Sequence, residues 1–342
     1  MKAAVFRKPY DIVVSETAKP QPGPGEVLVS VRAAGICGSD LHNYDGSHPY
    51  VVYPAIYGHE LSGVVAEVGD RVTRVKTGER VVIEPAIPCG SCYPCRSGKY
   101  NCCVAMQFVG SFGGQGGFAD YVAVPERCIH PIPDEMDFRI GALCEPFAIG
   151  AQAVKQAGVQ DGMSVTLLGM GPIGLTILIL LKRLYRVRVF AVDIVPERLE
   201  TARRFGADVL INPLREDPIA RIAELTGGEN SNAVIEVAGL KWTMEQTIHM
   251  VSAGGRIVIV GLTSDDVSMP GILFTKKEVE IRGSRNSVDQ FPFIIDFLNR
   301  NRELAEAFIT ATMPFGDIAH AFHEAKTKPH AVNKIVLTFD GA

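Results

Sequence analysis

The sequence lacks any hydrophobic run long enough to cross a bilayer. Its longest run, 175–181, is far shorter than the ~20 residues that a membrane helix needs. The first residues, MKAAVFRKPYDIVVSE, lack the apolar core of a signal peptide. There is no dense basic segment, and 34 Lys and Arg against 38 Asp and Glu leave a net charge of -4. We therefore expect a cytoplasmic protein with no membrane segment and no nucleic-acid partner.

The sequence also lacks internal repeats and low-complexity segments. Hydrophobic residues make up 47% and charged residues 21% of the chain, which is ordinary usage for a globular protein. A chain of 342 residues exceeds the usual size of a single hydrophobic core. These features predict a folded protein of two domains.

Four of the eight cysteines are crowded into one short segment. They are Cys89, Cys92, Cys95 and Cys103, and this spacing brings four thiolates within reach of one tetrahedral zinc ion. Because four thiolates leave no open position, the predicted role of this zinc is structural. Cys102 is an alternative fourth ligand, and a set of free or redox-active cysteines is the alternative to a metal site.

The order of predicted elements changes near residue 147. Before it, short strands separated by Gly and Pro turns (26–35, 60–69, 79–83 and 118–125) predict an irregular β-barrel. After it, strands alternate with helices, which indicates a doubly wound parallel sheet. Its six predicted strands are 164–169, 187–193, 208–211, 233–239, 256–261 and 279–284. Two helices and a strand at 333–339 remain, so we expect the chain to return to the first domain.

A glycine-rich turn joins the first strand of the predicted parallel sheet to a helix. The residues are Gly169, Met170, Gly171, Pro172, Ile173 and Gly174, the G-x-G-x-x-G pattern that binds the pyrophosphate of a dinucleotide. The next strand ends at Asp193, an acid placed to accept hydrogen bonds from the adenosine ribose. Since an aspartate repels a 2′-phosphate, we predict NAD over NADP, with Arg198 near the adenine. The alternative is a glycine turn without a ligand.

Further motifs give the chain a family resemblance. They are CGSDLH (37–42), GHE (58–60), the four-cysteine segment, EP (145–146), the glycine turn and the terminal KIVLTF (334–339). With these motifs the chain resembles the zinc-containing medium-chain dehydrogenases, on their polyol and sugar-acid side. The resemblance covers nearly the whole chain and implies a GroES-like catalytic domain joined to a Rossmann domain. It places the former at 1–147 and 285–342, with the zinc lobe at about 88–104, and the latter at 148–284.

The resemblance also implies a second, catalytic zinc. Its ligands would be Cys37, His59 and Glu145, with Glu60 as an exchangeable fourth ligand or a residue just behind the ligands. An open position on such an ion binds the substrate oxygen. Cys144 is a ligand alternative that we interpret as a packing residue.

A proton must leave the reacting hydroxyl. The resemblance implies that Ser39 accepts it and that it passes through the cofactor ribose to His42 near the surface. The alternative for His42 is an ordinary histidine on a helix surface.

The glutamate at 145 favours hydroxyl-rich substrates, because relatives acting on simple alcohols usually have cysteine there. Asn43 and Asn286 stand where sorbitol dehydrogenases have a tyrosine and an arginine, which argues against sorbitol. Arg285 could bind a carboxylate bidentately, as in the L-galactonate 5-dehydrogenase branch, or be a surface residue.

We thus predict oxidation of a secondary hydroxyl of a polyol or sugar acid to a ketone, with two zinc ions and NAD. The alternatives are a threonine dehydrogenase and a non-catalytic NAD-binding sensor or structural protein. We also expect a homodimer or homotetramer, as in many relatives.

Overall fold

The computed structural model describes residues 1–111 and 115–340. The chain divides into two compact units. The first comprises Met1–Glu145 with Val288–Ala342, and the second comprises Pro146–Ser287. The predicted domain boundaries lie close to these divisions, and as boundaries of independently folding domains they remain a prediction.

The first unit begins with short strands and helices. Its N-terminal strands are β1 (Lys2–Lys8), β2 (Asp11–Glu16), β3 (Glu26–Gly35), β4 (Glu60–Val68), β5 (Arg80–Ile83), β6 (Ala86–Ile87), β7 (Gln107–Phe108), β8 (Tyr121–Pro125) and β9 (Ile129–Pro131). The helices among them are α1 (Gly38–Asp45), α2 (Tyr93–Arg96) and α3 (Phe138–Ala142). Short 3₁₀ helices occupy Tyr100–Cys102 and Glu126–Cys128. The antiparallel pair β1 and β2 is a hairpin that our sequence analysis did not predict.

The second unit alternates helices and strands. In chain order these are α4 (Cys144–Ala157), β10 (Ser164–Leu168), α5 (Pro172–Leu184), β11 (Arg188–Val192), α6 (Pro196–Arg204), β12 (Val209–Ile211), α7 (Pro218–Leu225), β13 (Ser231–Glu236), α8 (Lys241–Met250), β14 (Val251–Ile259), α9 (Ile272–Lys277) and β15 (Glu280–Gly283). The first two residues of α4 belong to the first unit.

The chain then returns to the first unit. This segment holds α10 (Phe291–Arg300), α11 (Arg302–Phe308), β16 (Ala311–Pro314), a 3₁₀ turn (Phe315–Asp317), α12 (Ile318–Thr327) and β17 (Ile335–Thr338). Strand β17 pairs antiparallel with β3, and Val336 lies opposite Gly35. The expected return of the chain is therefore observed, and it brings the C-terminal strand beside the strand that leads to Cys37.

The two units contain different sheets. In the first, the main sheet runs β16-β17-β3-β4-β5-β9, and β8 pairs with β3. Its apolar core includes three mutually contacting rings, Phe6, Phe118 and Phe322. In the second, six parallel strands follow the order β12-β11-β10-β13-β14-β15, which is the doubly wound arrangement predicted from the sequence.

The apolar run of the sequence forms the interior of α5. Residues from Leu175 to Leu181 are all buried, so the segment packs inside the second unit. In the described parts of the chain, no helix combines the length and the apolar character that crossing a membrane requires.

Candidate functional site

The four-cysteine segment folds into a compact thiolate cluster. The sulfurs of Cys89, Cys92, Cys95 and Cys103 all lie within 4.8 Å of one another. Cys92 Sγ is 3.4 Å from Cys95 Sγ and 3.8 Å from Cys103 Sγ. Four sulfurs at ~2.3 Å from one zinc ion would stand ~3.8 Å apart in a tetrahedron. The donor set therefore fits the predicted structural zinc, and Cys102 lies exposed outside it.

A second cluster forms where β3 and β4 meet. Cys37 precedes α1, His59 immediately precedes β4, and Glu60 is the first residue of β4. One donor atom from each of these three residues lies within 4.8 Å of the other two. His59 and Glu60 are buried. Sulfur, imidazole and carboxylate donors gathered in a buried position suit a zinc ion.

Asp40 lies behind this cluster and was not predicted from the sequence. It is fully buried, and Oδ2 accepts a hydrogen bond from the Cys37 backbone N–H at 3.0 Å. Its Oδ1 is 3.6 Å from His59 Nδ1. This contact places Nδ1 of His59 next to a carboxylate, which leaves Nε2 available to a metal ion. The aspartate of the CGSDLH motif is the sequence signal that could have identified it.

The charges around His59 favour a cation. Burial alone would lower the pKa of His59, but the carboxylate of Asp40 and the thiolate of Cys37 outweigh it and raise that pKa well above its ordinary value. Burial also raises the pKa of Asp40. A protein interior tolerates so many acidic groups only if cations compensate them. The donor set is thus compatible with a divalent ion at this place.

Glu145 is the next acidic group of this region. It stands at the start of α4, is buried, and lies outside the group of three donors that meet within 4.8 Å. Burial raises the pKa of Glu145 to about 7, opposed by the charge of His59 and reinforced by Glu60. Its neighbour Cys144 is fully buried, which raises the pKa of that thiol. A neutral thiol is a poor zinc ligand, so this environment agrees with our interpretation of Cys144 as a packing residue.

Lys334 is the second residue that sequence reasoning missed. Its ammonium lies 2.5 Å from Oε1 and 2.6 Å from Oε2 of Glu60. Burial would lower the pKa of Lys334, but the charges of Glu60 and Cys37 raise it. The KIVLTF motif contains this lysine, and from the sequence it indicates a strand and the family resemblance but no role for Lys334.

The predicted proton relay lies on α1. Ser39 is partly buried and His42 is exposed three residues later, so the two side chains share one face of the helix. His42 Nδ1 is 2.8 Å from Ser47 Oγ, which engages one ring nitrogen and leaves Nε2 for proton exchange. Helix α1 thus carries the predicted acceptor and the predicted exit group.

The glycine turn of the second unit has the geometry of a phosphate-binding loop. Gly169 has a φ of 101°. A Cβ on Gly174 would lie 2.0 Å from the Gly169 carbonyl oxygen, whereas a Cβ on Gly171 would meet nothing within 4 Å. The third glycine is therefore needed for packing, and the second leaves open space. Helix α5 begins at Pro172, so the N-terminal N–H groups of that helix adjoin the space.

Asp193 follows the second strand of the parallel sheet. Its Oδ2 accepts from the backbone N–H of Met170 at 2.8 Å, and its Oδ1 accepts from Val195 at 2.9 Å. Arg198 Nη1 is 3.9 Å from Asp193 Oδ2. These contacts tie the carboxylate to the glycine turn and place Arg198 beside it. Arg285 and Asn286 lie after β15 in the same unit, with Arg285 exposed and Asn286 at a φ of 44°.

Comparison with known proteins identifies the family. The model of the alcohol dehydrogenase GroES-like domain matches residues 23–134, and that of zinc-binding dehydrogenases matches residues 172–300. L-galactonate-5-dehydrogenase of Escherichia coli (strain K12) is 33% identical over 345 residues, which cover 99% of each chain. Sorbitol dehydrogenase of Bacillus subtilis (strain 168) is 34% identical over 302 residues, covering 87% of this chain and 86% of the relative.

A solved structure gives the same result. The crystal structure of a short chain alcohol dehydrogenase (rspB) from Escherichia coli CFT073, complexed with NADH, superimposes with a TM-score of 0.93. It is 34% identical and covers 99% of both chains. The predicted GroES-like and Rossmann fold class is thereby confirmed. The chain belongs to the zinc-containing medium-chain dehydrogenases, in their polyol and sugar-acid branch, and is a zinc- and nicotinamide-dependent oxidoreductase.

Proposed function

We propose that the protein oxidises a secondary hydroxyl group of a polyol or sugar acid to a ketone and transfers the hydride to NAD. The observation that carries this proposal is the cluster of Cys37, His59 and Glu60, whose donor atoms lie within 4.8 Å of one another, with the buried carboxyl group of Glu145 in the same region. By the family resemblance, a glutamate at position 145 is typical of enzymes that act on hydroxyl-rich substrates. L-galactonate-5-dehydrogenase and sorbitol dehydrogenase, which act on such molecules by name, are relatives.

Zinc bound there supplies a Lewis acid that lowers the pKa of the substrate hydroxyl. The residues of the chain hold and surround the reacting group. Cys37, His59 and Glu145 are the proposed ligands, and Asp40 orients the His59 ring through Nδ1.

We assign proton removal to α1. Ser39 accepts the proton from the substrate hydroxyl, and His42 releases it to solvent from its exposed position. Because His42 Nδ1 faces Ser47 Oγ, the proton leaves through Nε2. Loss of either side chain is expected to slow proton removal and leave metal content unchanged.

The preference for NAD rests on Asp193. Each carboxylate oxygen accepts one backbone hydrogen bond and retains acceptor capacity for a ribose hydroxyl. The same negative charge disfavours a 2′-phosphate. Gly169, Gly171, Pro172, Ile173 and Gly174 would hold the pyrophosphate at the start of α5.

For the substrate we favour a sugar acid. Arg285 is exposed and carries the planar guanidinium that binds carboxylates bidentately, and Asn286 replaces the arginine typical of sorbitol oxidation. A matched pair of substrates, an aldonate and the alditol with the same hydroxyl configuration, measures this preference. Arg285→Gln should raise the KM for the aldonate and leave the KM for the alditol unchanged.

The decisive experiment follows NADH absorbance across polyols, aldonates and threonine, with and without a chelator. We expect chelator-sensitive turnover of a polyol or aldonate. Turnover of threonine alone would point to a threonine dehydrogenase. A zinc- and NAD-loaded protein that turned over no secondary alcohol would refute the proposal and favour a sensor.

We also retain the predictions of a homo-oligomer and of a cytoplasmic location. Strand β15 is the edge of the parallel sheet, and Glu280, Ile281 and Arg282 are exposed there. Two copies paired antiparallel about Ile281 would place Glu280 of each against Arg282 of the other. Determination of the molar mass in solution tests the oligomer.

A further inference from the structure

The side chain of Glu236 lies under the loop that follows β13 (237–240, the β13 loop). Its Oε1 accepts hydrogen bonds from the Gly239 N–H at 2.8 Å and from the Thr243 hydroxyl at 2.7 Å, and Thr243 is in the first turn of α8. Glu236 is fully buried, and its Oε2 has no hydrogen-bond partner among the residues that the structure describes. One carboxyl group therefore fixes the path of the chain from the end of β13 into α8.

The loop that follows β14 (260–262, the β14 loop) packs against the β13 loop. The N–H groups of Val260 and Gly261 donate to the Glu236 carbonyl at 2.8 and 3.2 Å. A Cβ on Gly261 would lie 2.3 Å from the Gly239 nitrogen and 2.7 Å from Glu236 Oε2. Contacts this close leave no space for a side chain at position 261, so the two loops meet at the carboxyl group of Glu236.

Both loops lie at the edge of the sheet where a dinucleotide is expected. Strands β10 and β13 are neighbours, and the strand order reverses between them, which is where a doubly wound sheet binds its ligand. The N–H groups of Val237 and Ala238 donate to the Leu168 carbonyl at 2.8 and 3.1 Å. A Cβ on Gly169 would lie 2.9 Å from the Ala238 nitrogen. The β13 loop therefore packs directly against the glycine turn.

The position of Asp193 indicates which half of the cofactor these loops would meet. Asp193 follows β11, which lies on the side of β10 away from β13, and we assign Asp193 to the adenosine ribose. A dinucleotide that crosses the switch point from the β11 side brings its other half to the ends of β13 and β14. The β13 and β14 loops would thus receive the nicotinamide half.

We propose that Glu236 is a positioning residue for the nicotinamide half of the cofactor. Its carboxyl group holds the β13 loop against the β14 loop and the glycine turn, so the backbone has its binding shape before NAD arrives. Pre-organisation of this kind lowers the cost of ordering the loops on binding. This assignment rests on the adenosine role of Asp193 in the proposed function but not on the identity of the substrate.

The environment of Glu236 also provides a conservative variant. Burial raises the pKa of Glu236, although hydrogen bonds from Thr243 and the Gly239 backbone oppose this. A raised pKa brings the carboxyl group closer to its neutral form, so glutamine is a near-isosteric analogue whose amide oxygen can accept from the same two donors. Glu236→Gln therefore keeps the contacts of Oε1, and Glu236→Ala removes them.

The test compares the binding of two ligands by calorimetric titration, without turnover. NADH carries both halves of the cofactor, and ADP-ribose lacks the nicotinamide. Glu236→Ala should weaken NADH binding by on the order of tenfold, the scale of one lost hydrogen bond, and leave the affinity for ADP-ribose unchanged. Glu236→Gln should bind NADH as the wild type does. An unchanged NADH affinity in Glu236→Ala, an equal loss for both ligands, or an equal loss in Glu236→Gln would overturn the inference.

A second variant decides the matter if Glu236→Ala does not fold. In Gly261→Ala, the added Cβ must push the β14 loop away from the Gly239 nitrogen. This variant should also lose affinity for NADH and keep its affinity for ADP-ribose, and the absence of a selective loss would overturn the inference.

Asp193→Ser is the matched control for the adenosine half and should lower the affinity for both ligands. Unchanged affinities in this control would refute the role of Asp193 in the proposed function. The Glu236 variants are read from the ratio of two affinities within one protein, so their outcome is separate from that failure and from failure of the substrate panel.

Discussion

Substitution of Asp40 by asparagine is expected to weaken zinc binding at the catalytic site while leaving α1 folded. Asp40 Oδ2 accepts from the Cys37 N–H at 3.0 Å, and Oδ1 faces His59 Nδ1 at 3.6 Å. Asparagine has one acceptor oxygen. If that oxygen serves Cys37, the NH₂ group points at the N–H of His59, and two donors meet.

The size of the effect follows from the two contacts. Loss of the carboxylate that orients a metal-binding histidine lowers metal affinity by about 10–100-fold, or about 1.4–2.7 kcal/mol. Loss of the hydrogen bond to Cys37, which caps the first turn of α1, costs about 0.5–2 kcal/mol of stability. Asp40→Asn should show mainly the first loss, and Asp40→Ala should show both.

Two measurements separate these losses. Transfer of zinc to a chromogenic chelator reports affinity, and urea unfolding of the chelator-treated protein reports stability without the catalytic metal. We expect both variants to release zinc faster and only Asp40→Ala to be less stable after chelation. If Asp40→Asn released zinc at the same rate as the wild type, the proposed orientation of His59 by Asp40 would be refuted. If Asp40→Asn and Asp40→Ala lost the same stability after chelation, our assignment of the stability loss to the Cys37 hydrogen bond alone would be refuted.

Three further predictions test other parts of the molecule. Cys92→Ser should lower zinc content and thermal stability and leave the activity of the folded fraction nearly unchanged; an inactive, equally stable variant would contradict a structural role. Asp193→Ser should raise the ratio of kcat/KM for NADP over NAD by on the order of tenfold or more, and an unchanged ratio would contradict our assignment. Burial would raise the pKa of Asp45, but the ion pair with Lys326 and hydrogen bonds from Ser47 lower it to about 2. Because a lowered pKa stabilises the fold only while the carboxylate is charged, Lys326→Met should reduce the unfolding free energy at pH 7, and its difference from the wild type should shrink as the pH falls below 3.8 toward 2. Urea unfolding at several pH values checks this, and a difference independent of pH would count against it.

The parallel sheet could be predicted because its signals are local. Strand and helix segments alternate along the chain, and each strand is an apolar run that the helices bury. The glycine turn and Asp193 also carry their chemistry within about 25 residues. Strand β14 was harder: it begins at Val251 and includes Gly254 at a φ of 68°. Glycines usually indicate a turn, so our prediction began the strand only at residue 256.

The hairpin of β1 and β2 shows a similar limit. Its turn contains Tyr10 at a φ of 62°, a conformation that non-glycine residues rarely adopt. Position 10 carries no Gly or Asn to mark it. The turn is fixed by its surroundings, since Tyr10 packs edge-on against Tyr44 and donates its N–H to the Tyr44 carbonyl. Contacts of this kind depend on tertiary structure and are not readable from the local sequence.

The same distinction explains what the sequence revealed about Glu60. The GHE motif places Glu60 beside His59, so local reasoning treats the carboxylate as a candidate ligand. Its actual partner, Lys334, is 274 residues away and reaches it only because β17 pairs with β3. The partner of this buried carboxylate is set by strand pairing between distant parts of the chain, and the local sequence does not show that pairing.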